Sequence, residues 1–175
     1  MDEALAWLCQ AAADRAAAEQ LVAVATEAGH CHAIAKWQQT VEKAVKAVVA
    51  CLREAKVLHI DIGYDHGVHR FISVLIRLPH ARHHREIQQH LHGLLDQETR
   101  TGIQALDALV PRRPPSGSPA RRNTEYPFAD GAGSWTYPAA EDVFSSDEME
   151  RFRSVARRIL DRAGRIVSAI RRMPK

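Results

Sequence analysis

The chain has 175 residues, 46% of them apolar, enough for one domain with a core and too short for two comfortable ones. Alanine fills 28 positions while Phe, Trp and Tyr together make up 6%, a mixture that favours helices and excludes an all-β fold. Twenty-four basic against twenty-one acidic residues leave +3, too mild a balance to mark a nucleic-acid binder by net charge alone. The charge is nevertheless polarised. Five acids (Asp2, Glu3, Asp14, Glu19, Glu27) and one base (Arg15) occupy the first thirty positions, whereas nine bases face only Asp161 between Arg151 and Lys175. All ten histidines fall between His30 and His92, which confines the groups that titrate near neutrality to the middle of the chain.

In chain order, the spacing predicts a first helix from about Asp2 to Ala28, with Trp7, Leu21 and Val22 joined through Ala11, Ala18 and Ala25, and Gly29 as its stop. A second helix runs from about His30 to Val57. Its stripe is Ile34, Trp37, Val41, Ala44, Val45, Val48 and Leu52, and Gln38, Glu42, Lys46, Arg53 and Glu54 are assigned to its outer face. Val68, Phe71, Ile72, Leu75 and Leu78 mark a third helix ended by Pro79. Ile87, Leu91, Leu94 and Leu95 give a fourth, with Ile103, Leu106, Leu109 and Val110 as its extension beyond Gly102.

Periodicity stops from Pro111 to Ser146, where six of the eight prolines lie. This is a long loop, of a length that is either functional or disordered in a compact domain. Tyr126, Phe128, Trp135 and Tyr137 are expected to pack on the helices, and 112–122 to be mobile. The last helix, 147–173, opens on the capping-box pattern Ser145-Ser146-Asp147-Glu148 and carries the stripe Phe152, Val155, Ile159, Ile166 and Ile170. The expected fold is therefore all-α: an up-and-down bundle of four to five helices forming one domain over 1–175.

No secretory signal and no membrane span is visible. Cys9, Cys31 and Cys51 show no disulfide or metal spacing and are read as small core residues, which fits the cytoplasm.

Particular stretches carry a family likeness. Glu3-Ala4-Leu5-Ala6-Trp7-Leu8 with Gln10, Ala11 and Asp14 is followed by Gly29-His30-Cys31-His32-Ala33 and then by Gln39-Thr40-Val41-Glu42-Lys43-Ala44-Val45-Lys46-Ala47. Together with His66 and with Tyr126-Pro127 ahead of the last helix, these resemble the HEPN domain, named as the nucleotide-binding module of higher eukaryotes and prokaryotes. The resemblance runs over nearly the whole chain. It implies a helical bundle, usually homodimeric with a groove between protomers, that binds nucleotide or RNA. It also implies a nucleotidyltransferase-like protein partner in a toxin–antitoxin or defence system. Lys43, Lys46, His66 and Tyr126 are then the candidate nucleotide and phosphate contacts.

Some HEPN members are metal-independent ribonucleases with an Arg-x(4–6)-His motif near the start of the last helix. Here no histidine follows His92, and Glu125 stands where arginine is common before Tyr-Pro. Arg85 and His90 meet the bare spacing and are the candidate catalytic pair of the alternative reading, a ribonuclease toxin. A third reading is a purely structural dimerisation or complex-assembly domain that orders a complex through its long loop.

Other constellations have plainer explanations. His80, His83, His84, His90 and His92 lack the cysteine or acidic residue of a recognised zinc spacing, so neither a metal nor a cofactor is expected. His30 and His32 either cap or pack. The arginines of the last helix either pair with the acidic first helix or meet an external acidic partner.

Overall fold

The computed structural model describes residues 1–23, 27–58, 68, 75, 85–94, 96–109, 124, 128–129, 135–136 and 144–172. Its architecture is an all-α bundle. Among the described residues there are five helices: α1 (Glu3–Ala23), α2 (Glu27–Glu54), α3 (Arg85–Leu94), α4 (Gln97–Ala108) and α5 (Ser146–Arg171). Two short strands, β1 (Phe128–Ala129) and β2 (Trp135–Thr136), pair antiparallel within the stretch expected to be a loop, with Phe128 opposite Thr136.

α1 and α2 form an antiparallel pair. Glu54 at the end of α2 accepts a hydrogen bond from the Ala4 amide at the start of α1, at 3.5 Å, and Asp14 of α1 meets Lys36 and Lys43 of α2. α5 runs antiparallel to α1, because Arg153 near its start pairs with Glu19 and Arg171 at its end pairs with Asp2. It therefore runs alongside α2 in the same direction, and the Cys51 thiol donates to the Val167 carbonyl at 3.8 Å.

The expected stripe of α2 is buried in full, and burial goes further than the stripe. Every residue from Ala44 to Leu52 is buried, so this part of α2 is enclosed on all sides, as a helix without a polar face must be. Lys46 is only 3% exposed, which corrects its placement on an outer face: small neighbours such as Ala47 and Ala50 let other elements close over α2 all round. Gln38 is also drawn inward, donating to the Leu106 carbonyl at 2.7 Å and accepting from the buried Thr124 hydroxyl at 3.3 Å.

Several boundaries move. α1 ends at Ala23 and α2 starts at Glu27, so Gly29 is a buried residue inside α2 rather than a stop; an alanine-rich stretch offers no change of period to mark its end. α2 closes on a Schellman motif. The Lys56 amide donates to Arg53 and the Val57 amide to Leu52, both at 2.9 Å, with Lys56 at φ 57°. α3 and α4 are separate helices, because the Asp96 carboxylate accepts from the Thr99 amide at 2.7 Å and starts a new helix there. Gly102 interrupts nothing. It lies inside α4, where a Cβ would overlap Val155 of α5, so the glycine permits close approach of the two helices.

The capping box of α5 forms as its sequence indicates, with Ser145 Oγ accepting from the Glu148 amide at 3.3 Å and Glu148 Oε2 accepting from the Ser145 amide at 3.1 Å. Phe152, Val155, Ile159, Ile166 and Ile170 are all buried. Val68 and Leu75 are helical and buried; the rest of the expected third helix, its stop at Pro79, Tyr126, Tyr137 and 112–122 lie outside the described residues. Cys31 and Cys51 are buried but Cys9 is exposed, because it lies on the face of α1 turned away from α2. Among the described residues no helix is long and apolar enough to cross a membrane.

Candidate functional site

The polar seam between α1 and α2 holds Lys43 and Lys46, the two candidate phosphate-binding residues that the structure describes. Ala4, Ala11 and Ala18 are fully buried at seven-residue intervals along α1, and their small side chains let its backbone lie close to α2. Asp14 falls between Ala11 and Ala18 on the same face and is 3% exposed. A carboxylate so enclosed needs cationic partners. Lys36 and Lys43, two helical turns apart on α2, supply them: Lys36 Nζ lies 3.1 Å from Asp14 Oδ1 and 2.9 Å from Gln39 Oε1, and Lys43 Nζ bonds Asp14 Oδ2. Among the described residues, two ammonium groups meet one carboxylate, which leaves one positive charge in excess. The Lys36 and Lys43 side chains retain 37% and 20% exposure, so that charge lies at the solvent edge of the seam.

Lys46 serves different contacts. Its ammonium lies 2.6 Å from Glu42 Oε1 and 5.2 Å from the centroid of the Trp7 ring, so its charge is held by a carboxylate and an aromatic face inside the pair of helices. The Trp7 indole donates to Glu3 at 3.4 Å.

Arg85 and His90 both lie on α3. Five residues of helix turn the backbone through about 140°, so the two positions do not share a face. His66 and Tyr126 lie outside the described residues. Among the described residues, no group of three histidine, cysteine or acidic side chains is arranged to hold a metal. The pattern missed Asp14 and Lys36. Their signal was present: an acid sits on the buried alanine line of α1, and a lysine precedes Lys43 by seven residues on one helical face.

The arginines of α5 divide into three sets. One flank meets α1 through Arg153 and Glu19 at 2.7 Å and through Arg171 and Asp2. The other meets the start of α4, where Arg158 lies 3.0 Å from Glu98 and 3.2 Å from the Thr99 hydroxyl, and Arg162 lies 3.9 Å from Asp96. Gly93 of α3 leaves the space that the Arg162 guanidinium occupies. Desolvation pushes the Asp96 carboxyl upward, but the Thr99 hydrogen bonds and the arginine charges outweigh it and hold the group below the usual carboxylate range. Hydrogen bonding to Glu19 and to Glu98 holds Arg153 and Arg158 more firmly protonated than usual. The third set, Arg151, Arg157 and Arg165, is exposed and has no partner among the described residues.

No family model, no curated protein and no solved structure matches the chain.

Proposed function

We propose that the protein is a HEPN-like module that binds nucleotide or RNA as a homodimer and docks a nucleotidyltransferase-like partner, without cleaving RNA itself. The sequence likeness supplies this reading. The observation that carries it furthest is the Lys36–Asp14–Lys43 seam, where two lysines meet one carboxylate among the described residues, which gives a phosphate a partly exposed ammonium pair already fixed by a buried carboxylate. In this reading Lys43 contacts phosphate with Lys36 beside it, His66 and Tyr126 complete the site, and Lys46 orders the seam through Glu42 and Trp7.

Binding of ATP and of a labelled RNA of about 20 nucleotides, measured without divalent metal, tests the proposal. The module should bind at least one of them at micromolar concentration and leave the RNA intact. It should sediment as a dimer of the 19.5 kDa chain. Lys36→Gln with Lys43→Gln should weaken ATP binding about tenfold, equivalent to about 1.4 kcal/mol. Failure to bind either ligand refutes the reading, and metal-free cleavage abolished by His90→Ala replaces it with the ribonuclease.

A further inference from the structure

We infer that the outer face of α5 is a track for single-stranded RNA, with the phosphates held by Arg151, Arg157 and Arg165. The inference rests on the nucleotide- or RNA-binding reading and adds a surface distinct from the α1–α2 seam.

The face comprises Arg151, Ser154, Arg157, Asp161, Arg165 and Ser168, all exposed. These positions follow three- and four-residue steps and so lie along one side of the helix. The arginines on both flanks of α5 are already paired with Glu19, Asp2, Glu98 and Asp96. The three outer guanidinium groups have no such partner among the described residues. Each presents the planar donor fork that matches a phosphate, and the two serine hydroxyls add donors of the kind that bind nucleic-acid backbones.

Length selects the ligand. At 1.5 Å per residue, Arg151 and Arg165 lie about 21 Å apart along the axis, with intervals of about 9 and 12 Å. A mononucleotide reaches part of such a row, whereas a flexible strand can follow all of it. Composition argues against a protein occupant, because this face has no apolar side chain to form a desolvated interface core; nucleic-acid interfaces are the more polar and cationic class. Asp161 stands four residues from both Arg157 and Arg165, where it opposes a polyanion and limits affinity.

The test is anisotropy of a labelled oligouridylate of about 20 nucleotides in EDTA, titrated between about 50 and 200 mM KCl. Arg151→Gln, Arg157→Gln and Arg165→Gln combined should weaken RNA binding at least tenfold. The salt slope should fall by about 2, since each phosphate left without its arginine removes about 0.7. ATP affinity and the circular-dichroism melt should stay unchanged, and Asp161→Asn should tighten RNA binding severalfold. Unchanged RNA affinity and slope in the triple variant overturn the inference while leaving the binding reading intact. Wild-type protein that binds ATP but no RNA does the same, and protein that binds neither refutes both. Tighter binding of an oligoglutamate of equal charge overturns the track in favour of an acidic protein partner.

Discussion

The α1–α2 seam and the outer face of α5 both concentrate positive charge, but they use it differently. In the seam, Lys43 and Lys46 are held by Asp14 and Glu42 inside a packed helix pair, and their first effect is on which helices meet and in what register. On α5 the flanking arginines perform a similar task against α1 and α4, whereas Arg151, Arg157 and Arg165 project into solvent. Charge of one sign on two helices therefore has two physical meanings. Burial and the presence of a carboxylate give the seam lysines a part in the fold that the outer arginines lack.

The comparison breaks most easily at Asp14. Asp14→Ala leaves two lysines at the seam without their shared carboxylate, and urea unfolding should show a loss of about 3 kcal/mol, the lower part of the range for splitting a buried pair because the lysines are partly exposed. The packing counterpart on the other side of the bundle is Gly102. Gly102→Ala forces a methyl group against Val155, costing about 1–3 kcal/mol of overpacking, which the roughly 1 kcal/mol of improved helix propensity offsets only in part. Adding Val155→Ala should recover part of the loss in a double-mutant cycle, since the two sites are in contact.

Asp96 probes the α4 flank with a smaller effect. Asp96→Ala removes the cap and should cost about 1 kcal/mol, while Asp96→Asn keeps a capping oxygen and removes the charge that faces Arg158 and Arg162. Because the folded carboxyl titrates below its unfolded value, its contribution is complete above about pH 4 and is lost as the pH falls through the folded pKa. The stability difference between wild type and Asp96→Asn should therefore shrink in acid. The smallest change is a gain. Lys56 holds a left-handed backbone angle at the α2 terminus, so Lys56→Gly should raise stability by about 0.5–1 kcal/mol.

Large apolar residues made the helices legible. Ile34, Trp37, Val41 and Val48 recur at helical steps and all are buried, and the Ser145–Glu148 pattern marks the start of α5 because each side chain satisfies an otherwise orphaned amide. Alanine carries less information. Between Ala11 and Ala28 it fills both faces of the pattern, so neither the break after Ala23 nor the inward direction of Asp14 stands out. Gly102 was ambiguous for a related reason, as the same residue type that ends a helix also lets two helices touch. Lys46 was illegible because its burial depends on α1 and Trp7 covering a helix that already had a complete apolar stripe.

Removing the same number of charges from each region tests the central distinction most directly. Urea unfolding of Lys36→Gln/Lys43→Gln/Lys46→Met should show a loss of about 3 kcal/mol or more, whereas Arg151→Gln/Arg157→Gln/Arg165→Gln should stay within about 0.5 kcal/mol of wild type. Equal losses in the two triple variants, or a larger loss from the α5 set, would contradict the division between cations that build the fold as well as facing a ligand and cations with no part in the fold.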